Sequence, residues 1–178
     1  SVANMLEIQE EKILFGNGAS ELFMAIIHGI SPKRIVIPVP SFYGYLHAAE
    51  SSNAEIIYCG QTRETLLKAL TEETDLLFLA NPNNPTGTAI AITDMRKLLT
   101  HCKKNNISVM IDETYIEFSN NLEEICSIPL VDEFDNIFVI RGTSKFFAAP
   151  GLRLGYGITS SAEFHKLLAE NQDPWSVN

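Results

Sequence analysis

Positive charge is scarce in this chain. Thirteen lysines and arginines stand against 22 aspartates and glutamates, a formal net charge of −9 over 178 residues. A nucleic-acid binder is marked first by a basic stripe, so no nucleic-acid partner is expected, although a few local donors can still hold an anionic ligand. Cysteine is scarce too: Cys59, Cys102 and Cys126 are odd in number and far apart, and no pair has metal-ligand spacing. A reducing, cytoplasmic setting without a metal site is the simplest expectation. No apolar run approaches the ~18–20 residues of a membrane span, and Ser1 to Glu11 lacks the basic and apolar blocks of a signal peptide, so no membrane partner is expected. An initiator methionine is missing, and the sequence stops at Trp175-Ser176-Val177-Asn178 without a closing element. A piece of a longer chain is expected.

What is present reads as globular. Hydrophobic residues make up 46% and charged residues 20%, an ordinary balance for a folded chain, and the length suffices for one domain with a substantial core. Strand-like and helix-like runs alternate. The apolar stretches Lys12–Gly16, Arg34–Val39, Ala54–Cys59, Asp75–Ala80, Ile107–Asp112, Asn136–Ile140 and Arg153–Ile158 read as strands. Helical spacing covers Ala19–Gly29, Phe42–Ser52, Thr62–Leu70, Thr93–Lys104 and Ser161–Asn171, and more weakly Leu122–Ile128. Strands of this kind, most of them apolar throughout, predict a mainly parallel seven-stranded sheet covered on both faces. The expected fold is therefore one three-layer α/β/α domain spanning residues 1–178, without internal repeat or linker.

Four stretches carry chemistry, each following or flanking a predicted strand, where open α/β sheets place their ligands. Ser144-Lys145-Phe146-Phe147-Ala148-Ala149-Pro150-Gly151-Leu152-Arg153-Leu154-Gly155 follows the apolar strand Asn136–Ile140. A lysine in a partly apolar place loses hydration of its ammonium form, so Lys145 is either a nucleophilic amine towards a carbonyl or a solvated loop residue. Gly16-Asn17-Gly18-Ala19-Ser20-Glu21 joins a strand to a helix. Free N–H groups at Ala19 and Ser20, with the helix dipole, would suit a phosphate, and a plain glycine turn capped by Ser20 is the other reading. Its spacing is not that of a dinucleotide fingerprint, and no Gly-Lys-Ser/Thr follows as in a P-loop. Asn81-Pro82-Asn83-Asn84-Pro85-Thr86-Gly87 is a stiff turn whose asparagines can donate and accept in fixed directions, or simply hold the turn. Asp112-Glu113-Thr114-Tyr115 ends a buried strand, where a carboxylate is costly unless it meets a cation: a protonated heterocycle nitrogen, a structural salt bridge or, with Glu113, a metal.

Taken together, these four stretches resemble the pyridoxal-phosphate enzymes of the aspartate-aminotransferase fold, called fold type I, in a match running from Ile13 to Asn178. The likeness is closest to the branch containing the histidinol-phosphate aminotransferases and threonine-phosphate decarboxylases. It implies a large cofactor-binding domain, with the small domain and an N-terminal arm outside this sequence. It also implies pyridoxal 5′-phosphate as cofactor. By that resemblance Lys145 would bind the cofactor aldehyde and, once displaced by an amine, act as general base at Cα. Asp112 would pair with the ring nitrogen and keep it protonated. Asn84 and Tyr115 would hydrogen-bond the ring oxygen, and Phe42 would stack on the ring. Gly18, Ala19 and Ser20 would hold the phosphate by backbone N–H groups, with Arg153 as its charged clamp and Ser144 as a hydroxyl donor. One position departs from the family pattern: a hydroxyl residue commonly stands three before the lysine, and here it is Gly142.

The activity so implied is an aminotransferase moving an amino group between an amino acid or phosphorylated amine and a 2-oxo acid, in a cytoplasmic homodimer. A threonine-phosphate decarboxylase and a non-catalytic cofactor-binding fragment are the alternatives. Other residues are expected to be structural. His28, His47, His101 and His165 read as surface or helix-end histidines, and Cys102 as a surface thiol beside Lys103 and Lys104. Tyr43 and Tyr45 read as helix packing, with one of them lining the substrate side as the alternative, Arg141 as a strand-end group facing the site or pairing with an acid, and Trp175 is left without a role.

Overall fold

The computed structural model describes residues 1–143, 151 and 153–172. Seven strands form a single sheet. They are β1 (Ile13–Gly16), β2 (Arg34–Pro38), β3 (Glu55–Cys59), β4 (Leu76–Ala80), β5 (Ser108–Asp112), β6 (Ile137–Gly142) and β7 (Gly155–Ile158). Among the described residues seven α-helices accompany them: α1 (Val2–Leu6), α2 (Ala19–Ile30), α3 (Tyr43–Glu50), α4 (Arg63–Ala69), α5 (Ile92–Lys104), α6 (Leu122–Ile125) and α7 (Ala162–Asn171). Short 3-10 turns cover Glu10–Lys12, Ile116–Phe118 and Ile128–Asp132.

The sheet order is β1-β7-β6-β5-β4-β2-β3. Pairs from β6 through β3 are parallel, and β7 runs antiparallel to both β6 and β1. The expected three-layer, mainly parallel architecture is what forms. In β4 every residue is buried: Leu77 and Leu79 enter one core, Leu76, Phe78 and Ala80 the other. A central strand covered on both faces needs apolar residues at every position, which is why these strands read as continuous hydrophobic runs. One core is built with α4 and α5, the other with α2, α3 and α7.

Cys102 corrects an expectation. It is fully buried, because Met95, Leu98, Leu99 and Cys102 follow the helical period and form the inward stripe of α5. The neighbouring lysines lie on the exposed side. Burial pushes its thiol up to about 12.

Two topological facts prepare the site. The chain runs from β2 outward to β3, then crosses back past β2 to β4, so the switch point lies between β2 and β4, where ligand crevices form. The reversal of β7 brings its first residues to the edge where the parallel strands end, as the pairing of Gly142 with Gly155 records. Arg153, which precedes a strand, thereby reaches the same edge as Asp112, which ends one.

Candidate functional site

At that edge lies a cavity of 260 Å³. Its walls include Gly18, Ala19, Ser20, Phe42, Asn84, Asp112, Tyr115, Gly142 and Arg153, together with Phe23, Tyr45, Ala80, Pro82 and Thr114. Eight candidate site residues, drawn from positions 18 to 153, thus meet in one place. Ser144 and Lys145 lie outside the described residues, as do Phe146 to Pro150, Leu152 and Trp175.

One end of the cavity is the start of α2. Glu21 turns back to accept the Asn17 N–H at 2.7 Å, while Gly18 donates its own N–H to the Gly16 carbonyl at 2.7 Å. The Gly18 amide is therefore engaged, whereas the N–H groups of Ala19 and Ser20 begin the helix and have no intrahelical acceptor. Gly18 contributes space instead. Its φ is +79°, and a Cβ there would come within 2.8 Å of Arg153 Nη2. The guanidinium thus lies over the helix start, and among the described residues no carboxylate pairs with it, whereas Arg34, Arg96 and Arg141 each face glutamates. The two sets of positive ends, amide and guanidinium, converge on one spot.

The turn after β4 separates its asparagines by task. Asn81 is sealed: its side chain donates to the Ile90 and Ile125 carbonyls at 3.2 and 2.9 Å and accepts the Ile90 N–H at 2.7 Å. Asn83 donates to the Pro40 carbonyl at 3.1 Å and to Thr86 Oγ1 at 2.8 Å. Both hold the turn. Asn84 is the one of the three that lines the cavity, as Tyr115 does.

The floor is Asp112, 7% exposed at the last position of β5. The cation expected beside it is not among its described partners. Oδ1 accepts the Thr114 N–H at 2.9 Å, and Oδ2 accepts the Tyr45 hydroxyl at 2.5 Å. Burial pushes its carboxyl up from the ordinary range, and the bonds from Thr114 and Tyr45 pull it partly back. The salt bridge considered for this stretch belongs to its neighbour. Glu113, on the far face of the sheet, binds Arg141 at 2.9 Å, which settles Arg141 as the partner of an acid. Among the described residues no cluster of histidine, cysteine, aspartate or glutamate could hold a metal ion, and no helix is long and apolar enough to cross a membrane.

Phe42, 41% exposed, forms a side wall from the extended residue preceding α3. Tyr45 both packs in the core and lines the cavity, so the helix-packing assignment tells only half of its role. Its hydrogen bond spans 67 positions, which no local pattern signals. Thr114 was likewise unmarked: its side chain occupies the space beside Gly142, where a Cβ would lie 3.2 Å from Oγ1.

Comparison with known proteins follows the same outline. The family model for aminotransferases of class I and II matches residues 2–177. A threonine-phosphate decarboxylase of Salmonella typhimurium is 35% identical over all of this chain and 50% of its own length. A histidinol-phosphate aminotransferase of Symbiobacterium thermophilum is 34% identical over 99% of this chain and 50% of its own length. The crystal structure of the histidinol-phosphate aminotransferase from Clostridium acetobutylicum superposes with a TM-score of 0.89 at 29% identity, over 99% of this chain and 54% of that one. The chain spans about half the length of the curated relatives it matches.

Proposed function

Because the chain belongs to the class I and II aminotransferase family, we propose that its cavity holds pyridoxal 5′-phosphate and that the whole protein transfers an amino group between an amino acid or phosphorylated amine and a 2-oxo acid. The observation that carries this reading is Asp112: a buried carboxylate with both oxygens held by donors, in a cavity whose other end is a helix start beside Arg153, which pairs with no carboxylate among the described residues. A planar cationic heterocycle bearing a phosphate matches that donor and acceptor set.

When bound, the cofactor supplies an electron sink for charge developing at the substrate Cα. The chain's residues do the rest. Asp112 would accept a hydrogen bond from the protonated ring nitrogen and so favour its charged form. Asn84 and Tyr115 would donate to the ring oxygen, and Phe42 would cover the ring. The Ala19 and Ser20 amides and the Arg153 fork hold the phosphate, with Ser144 adding a hydroxyl. Lys145, two residues after Thr143 in the sequence, would be the amine that holds the cofactor aldehyde and the base that moves a proton at Cα. The roles of Ser144 and Lys145 rest on sequence alone.

The chain is read as the large domain of a cytoplasmic homodimer, with an N-terminal arm and a small domain elsewhere in the protein. The exposed aromatic rings of Phe42, Tyr43 and Phe118 support association. A decarboxylase acting on threonine phosphate is the second reading, favoured by the likeness to the Salmonella protein over the whole chain. A product assay on the full-length protein separates the two. Amino transfer that depends on a 2-oxo acid is expected, and carbon dioxide release without that dependence would overturn the aminotransferase. Binding is tested by the Schiff-base absorbance band of this chain with pyridoxal phosphate, which Lys145→Ala should remove. A band without turnover would mark the chain as a cofactor domain that needs the rest of the protein.

A further inference from the structure

Tyr45 stands in the first turn of α3, three residues after Phe42, and its ring turns inward until only 1% of the residue is exposed. Three aromatic neighbours hold it. Phe23 meets it edge-on at 5.4 Å and 76°, Phe42 at 5.6 Å and 81°, and Phe78 lies tilted at 5.7 Å. These contacts would hold a phenylalanine equally well. A hydroxyl buried there is costly unless it is paired, and its partner is Asp112 Oδ2. With the Thr114 N–H on Oδ1, each carboxylate oxygen has one fixed donor, so the group cannot rotate about its own axis without losing both.

We infer that Tyr45 is a positioning residue: its hydroxyl holds the Asp112 carboxylate in its ionised, cavity-facing orientation while its ring braces the Phe42 wall. The inference rests on the cavity holding pyridoxal phosphate, and it adds a second tier to that site. A neutral phenol donating to a carboxylate favours the charged form. Burial and the Asp112 charge push the Tyr45 phenol well above its ordinary value, so it remains a donor rather than a second anion. The other titratable groups of the described cavity walls are Tyr115 and Arg153. Neither donates to Asp112, and Arg153 lies at the start of α2.

The first test needs no cofactor. Carbon-13 NMR titration of the Asp112 carboxyl, assigned by its loss in Asp112→Asn, should show a higher midpoint in Tyr45→Phe than in the wild type. Pyridoxal phosphate affinity, read by absorbance, should fall roughly tenfold in Tyr45→Phe. That fall should vanish in the Asp112→Asn background, because Tyr45 acts through the carboxylate. Tyr43→Phe, on the exposed neighbouring ring, should alter neither reading. An unmoved midpoint, or the same loss of affinity with and without the Asp112 carboxylate, overturns the inference. A wild type that binds no pyridoxal phosphate overturns the functional reading instead and leaves the titration standing. Where Tyr45→Phe does not fold, the wild type and Asp112→Asn decide: the Tyr45 phenol, followed by near-ultraviolet absorbance, must ionise at lower pH once the carboxylate is gone. Unchanged ionisation sinks the inference.

Discussion

Nη2 of Arg141 lies 2.9 Å from Oε2 of Glu113, and the two side chains are 4% and 0% exposed. Each is the immediate neighbour of a cavity residue, Gly142 for one and Asp112 for the other. Glu113 Oε1 also accepts the Ser127 N–H at 2.5 Å, and Arg141 donates to Cys126 Sγ at 3.2 Å. The pair therefore fastens the ends of β5 and β6 to the 126–127 segment from the face opposite the cavity. Removing one member leaves the other charge buried. Glu113→Gln should destabilise the protein by about 3–5 kcal/mol in urea denaturation. Adding Arg141→Met should recover much of that loss. A single variant as stable as the wild type would show that the pair is not what joins these strand ends.

Gly142 and Thr114 share one space. A Cβ at 142 would lie 3.1 Å from Thr114 Cγ2 and 3.2 Å from Oγ1, close enough to force a shift. Gly142→Ser alone should therefore cost about 1–3 kcal/mol through overpacking, and Thr114→Ala should relieve most of it. The double-mutant cycle, measured by thermal melting, should give a favourable coupling. Additive effects would mean that the two sites do not compete.

How far the sequence spoke depended on range. The apolar runs of β2, β4, β5 and β6 were legible because strands covered on both faces need hydrophobic residues at each position. The reversal of β7 was not, since direction is set by where the chain between residues 143 and 154 returns, and four residues of β7 look alike in either sense. Helix α1, five residues long, has too few positions to show a period. Within the cavity, Gly18, Asn84, Asp112 and Arg153 were picked out by the family resemblance of their stretches, since residue type alone left a glycine turn, a structural turn and a salt bridge open. Asn81 and Asn83 looked equally available and proved to be tied to carbonyls. Tyr45 and Thr114 were missed for one reason: their roles depend on Asp112 and Gly142, contacts that only the sheet register creates.

Gly18 and Arg153 meet at the end of the cavity proposed to take the phosphate. At φ +79° and ψ 170° Gly18 occupies a region open essentially to glycine, and holding a side chain there costs about 1–3 kcal/mol. Gly18→Ala should therefore lower stability by that amount and also displace the guanidinium. Its effect on ligands discriminates: affinity for pyridoxal phosphate should fall, while the weaker affinity for unphosphorylated pyridoxal should hardly change. Arg153→Lys should do the same without the stability loss, because an ammonium cannot meet two phosphate oxygens as a fork does. Equal losses for both ligands would place the phosphate elsewhere.

Asp112 gives a pH dependence of defined sign. Burial raises its carboxyl above the unfolded value of about 3.9, so between those two values the folded state holds the proton more tightly. Its contribution to stability is then fully present below the ordinary carboxylate range and is lost as pH rises through the raised folded value. Asparagine at 112 mimics the protonated form at every pH. The cofactor-free Asp112→Asn protein should accordingly melt above the wild type at neutral pH, with the gap closing as pH falls towards ~4. Glu113 and Glu117, also raised by burial, are present in both proteins and cancel in the difference. A wild type that is the more stable at neutral pH would show that the Tyr45 and Thr114 bonds outweigh burial. Saturating pyridoxal phosphate should invert the order, since a ligand stabilises the form that binds it more tightly by RT ln(1 + [L]/Kd). A carboxylate that weakens the empty protein and strengthens the loaded one is the signature expected of a group retained for its ligand.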